Sequence, residues 1–366
     1  MSAVPARVDR IEVGAFTIPT DEPEGDGTFE WDSTAIVVVH AHAGGTSGLG
    51  YTYADISTAK LIESKLAGIV EGTPVSSPRA SWAAMVRATR NLGRPGITSM
   101  AIAAVDLALW DLHARLLGAP LCTVLGMAND HVPVYGSGGF TTYTNDRLQR
   151  QLSSWTGEGI PRVKMKVGAH PREDEQRVRA AREAIGPGAE LFVDANGAYE
   201  RKQALQLAEA FREQASVSWF EEPVSSDDLE GLRVMRDRAP AGMAIAAGEY
   251  GYDSVYFRRM LDAGAVDVLQ ADVTRCAGIT ELLRVAGLCR ARGIPLSCHC
   301  GPAIHVHPAC AIDELLHLEY FHDHVRIEEM LFDGLPELRE GALWPDLARP
   351  GNGLSLRRSD AAPYSV

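Results

Sequence analysis

The ionisable residues in the second half of this chain are regularly spaced. Lys164, Asp194, Glu221, Glu249, Asp272, His299 and Glu319 follow one another at intervals of 30, 27, 28, 23, 27 and 20 residues. Each closes or directly follows a short apolar run, and a strand plus its helix occupies roughly 20 to 30 residues. Three of them, Asp194, Glu221 and Glu249, would converge from neighbouring strands, and hard carboxylate oxygens with open positions suit Mg²⁺ better than zinc or a softer metal. Taken singly, each is equally a solvated loop acid or a helix N-cap. Crowded together without a cation, the three would repel strongly. Asn196 and Glu222 read as partners standing behind these ligands.

Lys164 and Lys166 are two residues apart, so on a strand both ammonium groups project to one face. Like charges there lower each other's pKa, and a Lys moved toward neutrality serves as a general base. The alternative is a pair of surface lysines. Asp272 and His299 lie one repeat apart, where the carboxylate can hold one imidazole nitrogen and raise the basicity of the other. His305, His307, His317, His322 and His324 are read as structural. Cys298-His299-Cys300 has no second Cys/His pair at zinc-site spacing, so it is read as adjacent thiols on a strand end. Ser57-Thr58-Ala59-Lys60 matches S-x-x-K without its companion motifs and is read as the start of a helix.

The elements that must position these groups are eight short strands. They are expected at Val132 to Tyr135, Arg162 to Val167, Glu190 to Val193, Ser218 to Phe220, Ala244 to Ala247, Val266 to Gln270, Pro295 to Cys298 and Leu316 to Leu318, alternating with amphipathic helices. That pattern predicts a (β/α)8 barrel, whose chemistry sits at the C-terminal strand ends. An open doubly wound sheet would need a Gly-rich phosphate turn after its first strand, and Tyr135-Gly136-Ser137-Gly138-Gly139 lacks that spacing. Before the barrel, Val8 to Ile18 and Ala35 to His42 read as strands separated by the acidic stretch Asp21 to Asp32, too long for a tight hairpin. Gly44, Gly45, Gly48 and Gly50 read as a turn, followed by helices at 55–69, 81–92 and 100–117. The chain thus divides into an α+β capping domain (1–130), a barrel catalytic domain (131–331) and a Pro- and Gly-rich segment (332–366) packing back on the cap.

Composition narrows the function. The chain has 366 residues, 46% hydrophobic and 23% charged, enough apolar material for a large core. With 35 basic against 48 acidic residues the net charge is −13, which disfavours phosphate-rich nucleic acid as a partner. Six cysteines in a chain of this length do not form a disulfide framework, and no signal peptide or membrane span is legible, so a cytoplasmic protein with no membrane partner is expected.

Together Lys164-Met165-Lys166, Val193-Asp194-Ala195-Asn196, Trp219-Phe220-Glu221-Glu222-Pro223, Ala247-Gly248-Glu249, Gln270-Ala271-Asp272, His299 and Glu319 resemble the enolase superfamily, and within it the mandelate racemase subgroup, over nearly the whole chain. The resemblance implies a modified (β/α)8 TIM-type barrel under an N-terminal α+β cap, Mg²⁺ on Asp194, Glu221 and Glu249, and a Lys base facing a His base, as is general in that superfamily. Relatives that act on dipeptides or muconate place a Lys at the end of the sixth strand, where this chain has Asp272. The expected reaction removes the proton α to a carboxylate, with Lys164 and Glu319 supporting the carboxylate, and Lys166 or His299 taking the proton. With an aldonate or aldarate, His299 then expels the 3-hydroxyl to leave a 2-keto-3-deoxy acid. Racemisation, epimerisation or cycloisomerisation is the enzymatic alternative, and a non-catalytic relative binding a metal or sugar acid is the alternative of another class. Glu22, Glu24 and Asp26 are either acceptors for sugar hydroxyls or a solvated loop. A homo-oligomer is expected.

Overall fold

The computed structural model describes residues 6–366. Three antiparallel strands open the chain, β1 (Arg10–Gly25), β2 (Glu30–Ala43) and β3 (Thr46–Tyr53). The acidic stretch is not the long loop expected from its composition. The ladder slips register between Pro19 and Glu24, then resumes with Glu24 opposite Trp31, so most of the stretch is strand. Only a short turn remains, in which Asp26 Oδ1 accepts hydrogen bonds from the Thr28 and Phe29 amides.

β3 is a second correction. Gly44 and Gly45 make the turn, but Gly48 and Gly50 lie inside a strand. A Cβ on Gly50 would stand 2.3 Å from the Ala104 carbonyl oxygen, and one on Gly48 equally close to Ala108 O. The missing side chains let the helix Ile97–Leu116 lie directly on the sheet. That helix is long and apolar enough to cross a membrane, yet most of it is buried inside the protein. Its Asp106 accepts from the Thr280 amide and hydroxyl, and its Asp111 from the amides of Leu49 and Asn352, which ties cap, barrel and tail together. The other expected cap helices appear as Ser57–Leu61, a π-helical turn at Ile62–Leu66, Ala67–Val70 and Pro78–Ala88.

Eight parallel strands follow: β4 (Val132–Gly138), β5 (Arg162–Lys166), β6 (Glu190–Asp194), β7 (Val217–Glu221), β8 (Ala244–Ala247), β9 (Val268–Ala271), β10 (Leu296–Cys298) and β11 (Leu315–Phe321). Each pairs with the next, and β11 pairs back onto β4, closing a barrel. Tyr135, Phe192, Trp219 and Val268 form a separate buried cluster, with Phe192 stacked on Trp219 at 5.3 Å and His317 alongside. Inward-facing side chains therefore plug the barrel, and polar groups collect above the plug at the C-terminal mouth.

The tail is more ordered than an extended segment. β12 (Phe332–Asp333) pairs with β15 (Ser355–Leu356), and the hairpin of β13 (Glu337–Arg339) and β14 (Ala342–Trp344) adds antiparallel to the start of β4. Farther on, Arg358 pairs with Glu12 and the Val366 amide donates to the Ala15 carbonyl, both in β1.

Two predictions follow from the cap packing. Gly50→Ala should cost about 2 kcal/mol in urea unfolding, because a methyl group must displace helix backbone; a loss below about 0.5 kcal/mol would contradict the close approach. Separately, Tyr51 of β3 donates to Glu328 Oε1 at 2.5 Å while Glu328 Oε2 accepts from the Ala303 amide at 3.0 Å. Burial pushes the Glu328 carboxyl up to about 8 from 4.5. Folding therefore tightens its proton binding, and the stability it contributes is full below about pH 4.5 and lost as pH rises through about 8. Glu328→Gln should flatten the fall in unfolding free energy across that window, and parallel profiles for the two proteins would refute the assignment.

Candidate active site

A cavity of about 450 Å³ lies between the barrel mouth and the cap. Lys166, Glu249, His299 and Glu319 reach it from the strand ends, and Trp31, Thr34 and Tyr53 reach it from the cap. Trp31, Thr34 and Tyr53 carry no signal in the sequence, since they meet the barrel only through the tertiary fold.

Asp194, Glu221 and Glu249 end or follow β6, β7 and β8, are all buried, and each brings a carboxylate oxygen within 4.8 Å of the others. Glu221 Oε1 is buried without a hydrogen-bond partner, and Glu249 Oε2 has only the His299 imidazole nearby, with Nε2 at 3.3 Å. Orphaned, closely spaced hard oxygens fit a divalent cation such as Mg²⁺. Burial, and then the charge of Asp194, push the Glu221 carboxyl up to about 8. Glu222, standing behind the trio, is raised by burial and by Glu249.

Lys164 is fully buried, with Nζ 2.7 Å from Glu221 Oε2, 2.7 Å from Glu319 Oε1 and above the Tyr135 ring. Lys166 Nζ lies 2.5 Å from Asp194 Oδ2. From their spacing alone the two lysines are expected to depress one another. Burial and Lys164 do act downward on Lys166, but Asp194, Glu249 and Glu221 outweigh them and hold it above the usual lysine range.

His299 Nδ1 is 2.9 Å from Asp272 Oδ2, and Asp272 is itself fixed by the Thr274 amide and hydroxyl. An ionised Asp272 selects the Nδ1–H tautomer and leaves Nε2 for proton transfer. Burial raises the Asp272 pKa, but the hydrogen bond from His299 outweighs it and holds the carboxyl well below its ordinary range. Burial also disfavours the imidazolium, yet Cys300, Glu249 and Glu319 more than offset this and raise the His299 pKa. Nε2 faces Glu249 Oε2 at 3.3 Å and Glu319 Oε2 at 3.6 Å.

The remaining histidines divide. His305 and His307 accept backbone amides, from Val273 and Cys122, and His317 meets the Ser297 hydroxyl. His322 pairs with Asp21. His324 also accepts an amide, from Gly301, but it stacks on Tyr53 and lines the cavity, so it is more than a core residue. The Cys-His-Cys run likewise divides: Cys298 packs in the core behind the strand, whereas Cys300 turns into the cavity beside His299 and Glu319. Of the acidic stretch, Asp26 reaches the cavity and Glu22 pairs outside it with Arg147. Glu24 is buried under Trp31 Nε1 at 2.9 Å and pushed up to about 9, chiefly by burial.

Asn196, Glu222 and Cys300 adopt left-handed backbone at φ 45°, 37° and 51°. Each follows a strand-end group by one or two residues and turns the chain away sharply, at a cost on the order of 1–2 kcal/mol per residue.

Residues 26–126 match the mandelate racemase/muconate lactonizing enzyme N-terminal domain, and residues 147–361 match the enolase C-terminal domain-like family. The chain is 30% identical over 362 residues to the L-talarate/galactarate dehydratase of Salmonella typhimurium LT2, covering 96% of this chain and 89% of that one. A mandelate racemase/muconate lactonizing enzyme-like protein from Rubrobacter xylanophilus superimposes with TM-score 0.97 at 59% identity, covering 98% of this chain and all of that one. A racemase from Streptomyces coelicolor A3(2), solved with bound magnesium, gives TM-score 0.90 at 28% identity, covering 98% of this chain and 100% of that one. The chain belongs to the enolase superfamily, in its mandelate racemase subgroup.

Replacing one anionic member of the trio should tell in cation affinity before anything else. Glu221→Gln is expected to weaken Mg²⁺ binding by at least about tenfold in titration calorimetry, with the circular dichroism spectrum unchanged. Wild-type affinity in that variant would remove Glu221 from the set.

Proposed function

We propose that this member of the enolase superfamily is a Mg²⁺-dependent acid-sugar dehydratase that abstracts the proton α to a carboxylate and eliminates the 3-hydroxyl of an aldonate or aldarate. The observation that carries the reading is the delivery of two separate proton-transfer groups, Lys166 and the His299–Asp272 pair, to one cavity beside three crowded carboxylates. Similarity to an acid-sugar dehydratase over almost the full length supports the choice of substrate class.

Held by Asp194, Glu221 and Glu249, Mg²⁺ would supply positive charge beside the substrate carboxylate and draw the trio's negative charge away from Lys166. Lys164, buried between Glu221 and Glu319, keeps an ammonium where negative charge develops on that carboxylate. Glu319 can hydrogen-bond the other carboxylate oxygen. Lys166 ends β5 and His299 follows β10, five strands apart by one route around the closed barrel and three by the other, so they address a bound carbon from different sides. One takes the C2 proton. In dehydration, His299 Nε2 gives its proton to the departing 3-hydroxyl as the C3–O bond breaks, and water leaves. The resulting enol tautomerises to the 2-keto-3-deoxy acid. Asp272 keeps the ring in the tautomer that makes Nε2 the transferring atom.

The two bases separate by isotope exchange. With a substrate whose C2 proton faces Lys166, His299→Asn should lose dehydration yet still exchange the α-proton with D₂O by NMR, while Lys166→Ala loses both. For the opposite C2 configuration the exchange pattern reverses. Full turnover in both folded variants, on a substrate that wild type converts, would end the mechanism. A panel of aldonates and aldarates, assayed for 2-keto acid, should show activity that EDTA abolishes and Mg²⁺ restores. Exchange without 2-keto acid on every member would favour racemisation instead.

A further inference from the structure

One group in the cavity, the Cys300 thiol, is left unused by this chemistry, and its donor atom is of another kind. Cys300 Sγ stands 3.3 Å from His299 Nε2 and 3.4 Å from Glu319 Oε2, and those two atoms are 3.6 Å apart. The triangle has a definite size. Tetrahedral coordination with Zn–S of about 2.3 Å and Zn–N or Zn–O of about 2.0–2.1 Å sets neighbouring ligand atoms roughly 3.3–3.6 Å apart. All three residues are at least 96% buried, and they line the same cavity.

Their supporting contacts are those of a metal site as well. Metal-ligating histidines generally donate their second nitrogen to a carboxylate, and His299 Nδ1 faces Asp272 Oδ2 at 2.9 Å. Glu319 is oriented by Lys164 on Oε1 at 2.7 Å and by the Cys300 amide on Oε2 at 3.2 Å. The left-handed backbone of Cys300, at φ 51°, turns its thiol toward the preceding imidazole. On its other side Nε2 faces Glu249 Oε2, the nearest member of the trio, at 3.3 Å.

We propose that His299 Nε2, Cys300 Sγ and Glu319 Oε2 form a second, inhibitory site for a thiophilic divalent cation such as Zn²⁺ or Cd²⁺, distinct from the all-carboxylate trio. Sulfur and imidazole favour these ions over Mg²⁺, so the two sites sort cations by donor softness. On binding, the Cys300 thiol releases its proton to solvent as the metal–sulfur bond forms, and no electron is transferred. The cation takes the Nε2 lone pair that proton transfer requires. A soft metal therefore switches the site off while Mg²⁺ remains in place.

The test uses the full-length protein saturated with Mg²⁺ and reads binding directly, so its outcome does not depend on knowing the substrate. Titration with Cd²⁺ should raise a thiolate-to-cadmium charge-transfer band that saturates at one equivalent per chain. Cys300→Ser should abolish the band and weaken Zn²⁺ binding by at least about tenfold to a hundredfold, whereas Cys298→Ser should keep both. X-ray absorption of the zinc-loaded wild type should show one sulfur at about 2.3 Å with nitrogen and oxygen at about 2.0–2.1 Å, which settles the matter even if Cys300→Ser does not fold. An all-oxygen and nitrogen shell, the absence of the band, or unchanged Zn²⁺ affinity in folded Cys300→Ser would each overturn the proposal.

Discussion

Confinement of charge at the barrel mouth is the constraint on which the rest of the structure depends. Six buried carboxylates, Asp194, Glu221, Glu222, Glu249, Asp272 and Glu319, share a small volume with the ammonium groups of Lys164 and Lys166, and Arg275 joins at the edge through Glu249. Removing such charges from water costs several kcal/mol per ion and is offset only when each finds opposite charge and hydrogen bonds at close range. Lys164 does this for Glu221 and Glu319 together, at 2.7 Å from each. Negative charge still exceeds positive. Burial, and then the neighbouring carboxylates, raise the carboxyls of Glu221 and Glu222, and Glu221 Oε1 is left without a hydrogen-bond partner where a divalent cation would balance the excess.

The remaining architecture holds these charges in place. Aromatic side chains plug the barrel beneath Lys164, so its ammonium has no route to solvent from below. Above, the first hairpin and β3 lay Trp31, Thr34 and Tyr53 over the mouth. The cap is in turn fixed to the barrel by buried polar ties, Tyr51 to Glu328 and Asp106 to Thr280, and to the tail through Asp111 and Asn352. Left-handed residues after three strand ends add local strain, which the surrounding packing sustains.

Two chemistries share one imidazole. His299 is held by Asp272 on one side, and on the other it looks toward Glu249, Glu319 and Cys300. In the proposed dehydration that position turns Nε2 toward the substrate, and in the proposed soft-metal site it sets a nitrogen, a sulfur and an oxygen 3.3–3.6 Å apart. A basic nitrogen near a thiol is open to both protons and metals.

How much of this was legible depended on distance along the chain. The barrel and the strand-end groups could be read because a parallel βα unit repeats at nearly constant length, so Lys164, Asp194, Glu221, Glu249, Asp272, His299 and Glu319 announced their common level by spacing alone. The period-two separation of Lys164 and Lys166 likewise placed both on one face. Gly48 and Gly50 were legible only as turn formers, because what requires glycine there is the backbone of a helix more than fifty residues away. Cys300 has no second Cys/His pair at zinc-site spacing along the chain, and its oxygen neighbour, Glu319, arrives from the adjacent strand. The lysines were expected to push each other toward neutrality, and the carboxylates packed around them reversed the sign. The sequence by itself determined which groups stand at the barrel mouth, since strand periodicity is a local property. Only the tertiary structure decided their protonation, their partners and the walls of the cavity, since these follow from charges and side chains that meet only after the barrel closes and the cap descends.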